Sequence, residues 1–128
     1  MCKLCQSLSQ HRQLCRGLPE SSPLYIDGRV YLIKNGGIAS CLDAATGELR
    51  YQERLDAGGP YYSSPVVGDG KIYAASARGI VTVYETGDTL QVLARNDLEE
   101  RIMPTPALLQ GCVYVRTEQA LYAFGPPQ

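Results

Sequence analysis

There is no tryptophan in this 128-residue chain, and its one histidine is His11. A Ser-His or Cys-His catalytic pair would have to use that single imidazole, and a His-Glu-x-x-His zinc site is excluded. No apolar run approaches the roughly 20 residues that span a bilayer. Met1 to Arg16 carries polar or charged residues throughout and lacks the apolar centre of a secretory leader, so it does not read as a signal peptide. The net charge is only -1 at pH 7, which leaves no general field to draw nucleic acid or an anionic membrane. Cysteine is present but odd in number: Cys2, Cys5, Cys15, Cys41 and Cys112. A scattered, odd set is not a disulfide framework. Cys41 and Cys112 fall at apolar positions of predicted strands, where a free cysteine serves as a small hydrophobe.

What remains is the composition of an ordinary globular domain, 45% apolar and 20% charged, with room for one small domain. Its dominant feature is a repeat. Ser21-Ser22-Pro23-Leu24-Tyr25-Ile26-Asp27-Gly28-Arg29-Val30-Tyr31 recurs as Ser63-Ser64-Pro65-Val66-Val67-Gly68-Asp69-Gly70-Lys71-Ile72-Tyr73. A looser third copy runs from Pro104 to Tyr114. Pro23, Pro65 and Pro106 are 42 and 41 residues apart, a period that marks a repeat architecture.

Each copy reads as short strands separated by turn signals. In the first, Leu24 to Ile26, Arg29 to Lys34, Ile38 to Asp43 and Glu48 to Leu55 form a four-stranded antiparallel meander. Asp27-Gly28 suits a type I′ hairpin, because both central residues need positive φ. The second copy predicts strands at Val66-Val67, Lys71 to Ala75, Ile80 to Glu85 and Thr89 to Arg95. The third predicts Ala107 to Leu109, Cys112 to Arg116 and Leu121 to Phe124, with no fourth strand. Pro23, Pro65 and Pro106 belong near strand starts, since proline cannot donate to a ladder. Tyr31, Tyr73 and Tyr114 share one position of the second strand and are expected to pack between neighbouring sheets. Glu99-Glu100-Arg101 reads as a solvated connection.

The unit Ser-Pro-x4-Gly-x-Val/Ile-Tyr, followed by Leu42-Asp43-Ala44-Ala45-Thr46-Gly47-Glu48-Leu49, resembles the repeat of the PQQ-binding-like, or quinoprotein-like, β-propellers, a BamB-like family. The resemblance covers about residues 21–125. It implies an all-β propeller fragment of about three four-stranded antiparallel blades, near 21–55, 63–98 and 104–125, the last lacking its outer strand. The family repeat often carries a tryptophan soon after the Thr-Gly turn, docking on the next blade. Here Tyr51 and Val92-Leu93 occupy that region, which implies weaker or differently built blade packing. Three blades do not close a ring of the usual four to eight. Residues 1–20 are poor in β-branched and aromatic residues and do not read as a closing strand. The expectation is therefore a C-terminal part of a larger propeller, with residues 1–20 outside the fold and 126–128 a tail.

The resemblance also raises an oxidoreductase reading, a fragment of a PQQ-dependent quinoprotein dehydrogenase. Such enzymes imply a tryptophan floor, in many members an adjacent cysteine pair, and a calcium site. Tryptophan and adjacent cysteines are both missing here, and Asp43, Asp69 and Glu85 sit in turns or at strand ends. No cofactor and no catalytic residue is assigned. A third reading rests on Cys2, Cys5, His11 and Cys15, which could form a tetrahedral Cys3His zinc site. Five and three residues flank His11, where a zinc knuckle has four and four, and the knuckle's glycine and aromatic residues are absent. A tail with free thiols is preferred over a zinc-knuckle-like nucleic-acid binder. The expected role is thus a non-catalytic protein-binding or scaffolding module. Its partner would be another protein or the missing blades, or a further copy through open blade faces. Candidate recognition loops are Asn35 to Gly37, Ala57 to Tyr62 and Leu98 to Met103, with Tyr61-Tyr62 the most recognition-like pair. The same tyrosines suit packing against a neighbouring blade equally well. The family resemblance implies an extracytoplasmic parent.

Overall fold

The computed structural model describes residues 22–34 and 36–125. Eleven strands form three antiparallel sheets in chain order. The first contains β1 (Leu24–Ile26), β2 (Arg29–Lys34), β3 (Ile38–Asp43) and β4 (Leu49–Arg54). The second contains β5 (Val66–Gly68), β6 (Lys71–Ala75), β7 (Ile80–Glu85) and β8 (Val92–Asp97). The third has only β9 (Ala107–Leu109), β10 (Cys112–Arg116) and β11 (Leu121–Phe124). This is the expected all-β architecture, including the missing fourth strand of the last sheet.

The first hairpin of each sheet turns on two residues with positive φ, as a type I′ turn requires. These are Asp27 and Gly28 (49° and 79°), Asp69 and Gly70 (51° and 69°), and Gln110 and Gly111 (50° and 80°). The turn fixes register: Leu24 pairs with Tyr31, and Val66 with Tyr73. The third and fourth strands of the complete sheets share a register shift, between Cys41 and Leu42 and between Val83 and Tyr84. That bulge absorbs one residue at the same point of both repeats. The outermost strand of the second sheet begins at Val92, three residues after the Thr89 expected from sequence, because Gly87 to Thr89 bend first.

Cross-strand partners share a sheet face, and neighbours along a strand alternate. The first sheet turns Tyr31, Ile33, Ala39 and Cys41 toward Ile72, Ala74 and Tyr84 of the second, forming the largest core cluster. The second sheet turns its other face, Ala75 and Val81, toward Val113 and Val115 of the third. A smaller buried group, Leu32 and Leu42 with Val30, lies on the opposite face of the first sheet. The sheets therefore stack face to face like adjacent blades.

Candidate interaction surface

The junction of the first two blades is closed by aromatic packing and by a few well-placed polar bonds. Tyr31 is 1% exposed, and its hydroxyl accepts the Gly87 N–H at 2.9 Å from the turn between β7 and β8. Cys41 lies beside it and donates to the Gly87 carbonyl at 3.6 Å. Burial pushes both titrations upward, most for groups sealed from water. Tyr51 stands in the region where the resemblance implies a tryptophan. It is buried in the same cluster with Tyr31, Tyr61 and Tyr84, so four tyrosines meet at this junction. Burial also pushes the phenol titrations of Tyr51, Tyr61 and Tyr84 upward, well above the ordinary range for Tyr84. The hydroxyls of Tyr51 and Tyr84 have no hydrogen-bond partner among the described residues.

Charge stitches the rim of the same junction. Arg29 bonds Asp88 at 2.7 Å across the two blades, and Arg50 bonds Asp43 at 2.8 Å while approaching Asp88 at 3.8 Å. Asp43 also accepts the amides of Ala45 and Thr46, organising the turn before β4. These donors hold the Asp43 carboxyl below its ordinary range, Arg50 most of all. Arg29 does the same for Asp88. Arg95 reaches back to donate to the Leu55 carbonyl at 2.7 Å.

The loops expected to recognise partners are largely built into these junctions. In 57–62, Ala57 and Tyr61 are buried and the Pro60 carbonyl accepts the Ala77 amide at 2.8 Å. Tyr61 and Tyr62 part company. Tyr61 is in the core, so close to Gly37 that a Cβ there would lie 3.0 Å from the ring, while Tyr62 is 38% exposed. In 98–103, Ile102 is fully buried and bridges to Thr117, whereas Met103 is exposed. Glu100 is more than a solvated charge. It is half-buried and accepts the Thr117 hydroxyl, and its backbone carbonyl leaves no room for a side chain at Gly79. Asn35 lies outside the described residues, as do Cys2, Cys5, His11 and Cys15 and the segments 1–20 and 126–128.

Tyr73 and Tyr114 repeat the position of Tyr31 but not its surroundings. Tyr73 is half-buried against the second cluster, beside an apolar notch of about 50 Å³ lined by Val81, Val83, Val113, Val115 and Phe124. Tyr114 occupies the same register on the third blade, where the described residues include no further sheet. On that far face Leu109 is 60% and Leu121 68% exposed.

The innermost strands carry the residues that a propeller would turn toward its channel. They are Leu24–Ile26, Val66–Gly68 and Ala107–Leu109, with no carboxylate or amide side chain among them. Asp43 is spent on a turn and an arginine, and Asp69 sits in a hairpin turn. Among the described residues no group of three or more His, Cys, Asp or Glu side chains is placed to hold a metal ion. A quinone bearing carboxylates, with its calcium, needs clustered oxygen ligands; the described residues do not fit that pair. No helix of the described residues is long and apolar enough to cross a membrane.

No protein-family profile and no curated protein matches the chain. Solved structures do. BamB from Moraxella catarrhalis aligns with a TM-score of 0.66 and 21% identity, over 80% of this chain and 32% of that one. Quinohemoprotein alcohol dehydrogenase ADHIIG from Pseudomonas putida HK5 aligns with a TM-score of 0.67 and 19% identity, over 82% of this chain and 18% of that one. The quinohemoprotein alcohol dehydrogenase from Comamonas testosteroni gives 0.65 and 16%, over 78% of this chain and 17% of that one. The chain therefore spans a third or less of the length of these structures. In fold, the described residues match an arc of the β-propellers in these structures, with two four-stranded blades and a third of three strands.

Proposed function

We propose that this chain is a non-catalytic propeller module that binds or scaffolds protein, and that it acts as part of a larger propeller working outside the cytoplasm. The observation that carries this reading is the contrast between its surfaces. Its blade junctions are tightly built, its inner strands are apolar, and an apolar blade face is left uncovered. Such a surface suits macromolecular packing and offers little to a charged small molecule. The BamB-like resemblance points the same way for role and compartment.

The competing reading, a quinoprotein dehydrogenase fragment, draws on the two quinohemoprotein alcohol dehydrogenases with the same fold. One experiment separates them. The protein is titrated with pyrroloquinoline quinone and calcium, and the quinone spectrum and alcohol-dependent dye reduction are followed. The expected outcome is an unchanged spectrum and no turnover above the protein-free blank. Saturable quinone binding with alcohol-dependent turnover would overturn the non-catalytic reading.

A further inference from the structure

The repeated hydroxyl-proline turn does something the sequence period alone does not show. The Ser22 amide donates to the Ser64 hydroxyl of the next blade at 2.9 Å. The Ser64 amide then donates to the Thr105 hydroxyl of the blade after that at 3.0 Å. Each of these residues precedes a proline, Pro23, Pro65 or Pro106. The result is a relay with a direction. Each blade offers an amide forward and a hydroxyl backward. At the forward end, the Thr105 amide has no acceptor among the described residues.

The apolar face beside that amide ends the same way. Register puts Ala107 and Ala123 opposite Tyr114, Leu109 opposite Cys112, and Leu121 opposite Arg116, all on the side away from the second blade. The corresponding faces of the first and second blades are covered by the blade that follows. At one repeat position this is plain: Ala39 is 0% exposed, Val81 4% and Leu121 68%.

We propose that the far face of the third blade is the seat of a fourth blade of the same repeat. Its hydroxyl residue, immediately before a proline, accepts the Thr105 N–H and sets the register of docking. This rests on the reading of the chain as part of a larger propeller and adds the chemistry of the next unit. Hydrophobic burial supplies the attraction, while an exposed hydrogen bond of this kind contributes modestly and chiefly selects one alignment. A second copy of the chain is a less suitable occupant. The face it would have to offer, that of the first blade, already has Leu42 at 0% and Leu32 at 8% exposure.

The test uses the full chain and the same chain extended after Gly125 by a second copy of residues 86–125. That addition supplies a fourth strand for the third blade and then a fourth blade starting at the copied Thr105-Pro106. In the parent, the Thr105 amide should exchange with solvent about tenfold or more faster than the Ser64 amide, since only the latter is bonded. In the extended chain Thr105 should slow to the Ser64 rate, and changing the copied Thr105 to alanine should return it to fast exchange. If Leu121 and its neighbours become protected while Thr105 stays fast, the relay is overturned but the larger-propeller reading stands. If the added blade stays unfolded on an intact parent, both fail. If the parent self-associates with Thr105 protected, the occupant is a second copy and the proposal is overturned. The relay is also testable without extension. Ser64→Ala should speed exchange of the Ser22 amide about tenfold while Ser64→Thr preserves it; an unchanged Ser22 rate in the alanine variant overturns the proposal.

Discussion

Two tyrosines in one core cluster should answer oppositely to loss of a hydroxyl. The Tyr31 hydroxyl is bonded to the Gly87 amide, so Tyr31→Phe leaves that donor without its partner and should cost about 1 kcal/mol. The Tyr84 hydroxyl is buried with no partner among the described residues, so Tyr84→Phe removes a desolvated polar group. It should be neutral or stabilising by up to about 1 kcal/mol. Urea unfolding of both variants against the parent checks the signs; equal destabilisation would contradict this account of the junction. Sequence could place Tyr31 between sheets because its position recurs. It could not rank Tyr61 against Tyr62, since adjacent residues of the same type in an irregular connection carry no period to tell core from surface. What separates them is the approach of Gly37, a contact distant in sequence. The hydroxyl relay was equally hidden. The Ser-Pro spacing is visible in the chain, but that one hydroxyl meets the preceding blade's amide depends on how the blades stack.

Between elements, the strongest rim contact is the Arg29, Asp88, Asp43 and Arg50 group joining the β2–β4 region to the β7–β8 turn. Both carboxyls are held below their ordinary range. A depressed folded-state value contributes stability that is present above the unfolded value of about 4 and is lost as pH falls through the folded value. The urea midpoint should therefore drop from about pH 4 downward, and Asp88→Asn should flatten that drop. High salt should shrink the difference between the two proteins, because the pairs are solvent-exposed. A midpoint that falls equally in parent and Asp88→Asn would show that the rim pairs carry no linkage. At this scale the sequence was a good guide. Asp-Gly and Gln-Gly turns delimit the first hairpins, and alternation delimits the second and third strands. The outer strand of the second blade escaped by three residues, because Thr89 to Gln91 have strand-like composition but Thr89 still belongs to the bend, and regular pairing with β7 begins only at Val92.

For the whole molecule, the same repeat position reports whether a blade is covered. Val81 on β7 lies at 4% exposure against the third blade, while Leu121, its counterpart on β11, stands at 68%. Val81→Ala should cost about 2 kcal/mol, as buried aliphatic truncations do. Leu121→Ala should stay within about 0.5 kcal/mol of the parent, as exposed substitutions do. Leu121→Lys should in addition lower binding of a hydrophobic dye, because it replaces an exposed leucine of the uncovered face with a second charge beside Arg116. The contrast separates two explanations of an apolar residue on a surface. If Leu121 were merely a scattered surface leucine, its truncation would remain harmless whatever followed Gly125. If the face belongs to an unfinished junction, attaching a fourth blade should raise the cost of Leu121→Ala toward that of Val81→Ala, with nothing changed at position 121 itself. A cost that stays near zero in a chain whose fourth blade is folded and docked would mean that this face is not built as the other two are.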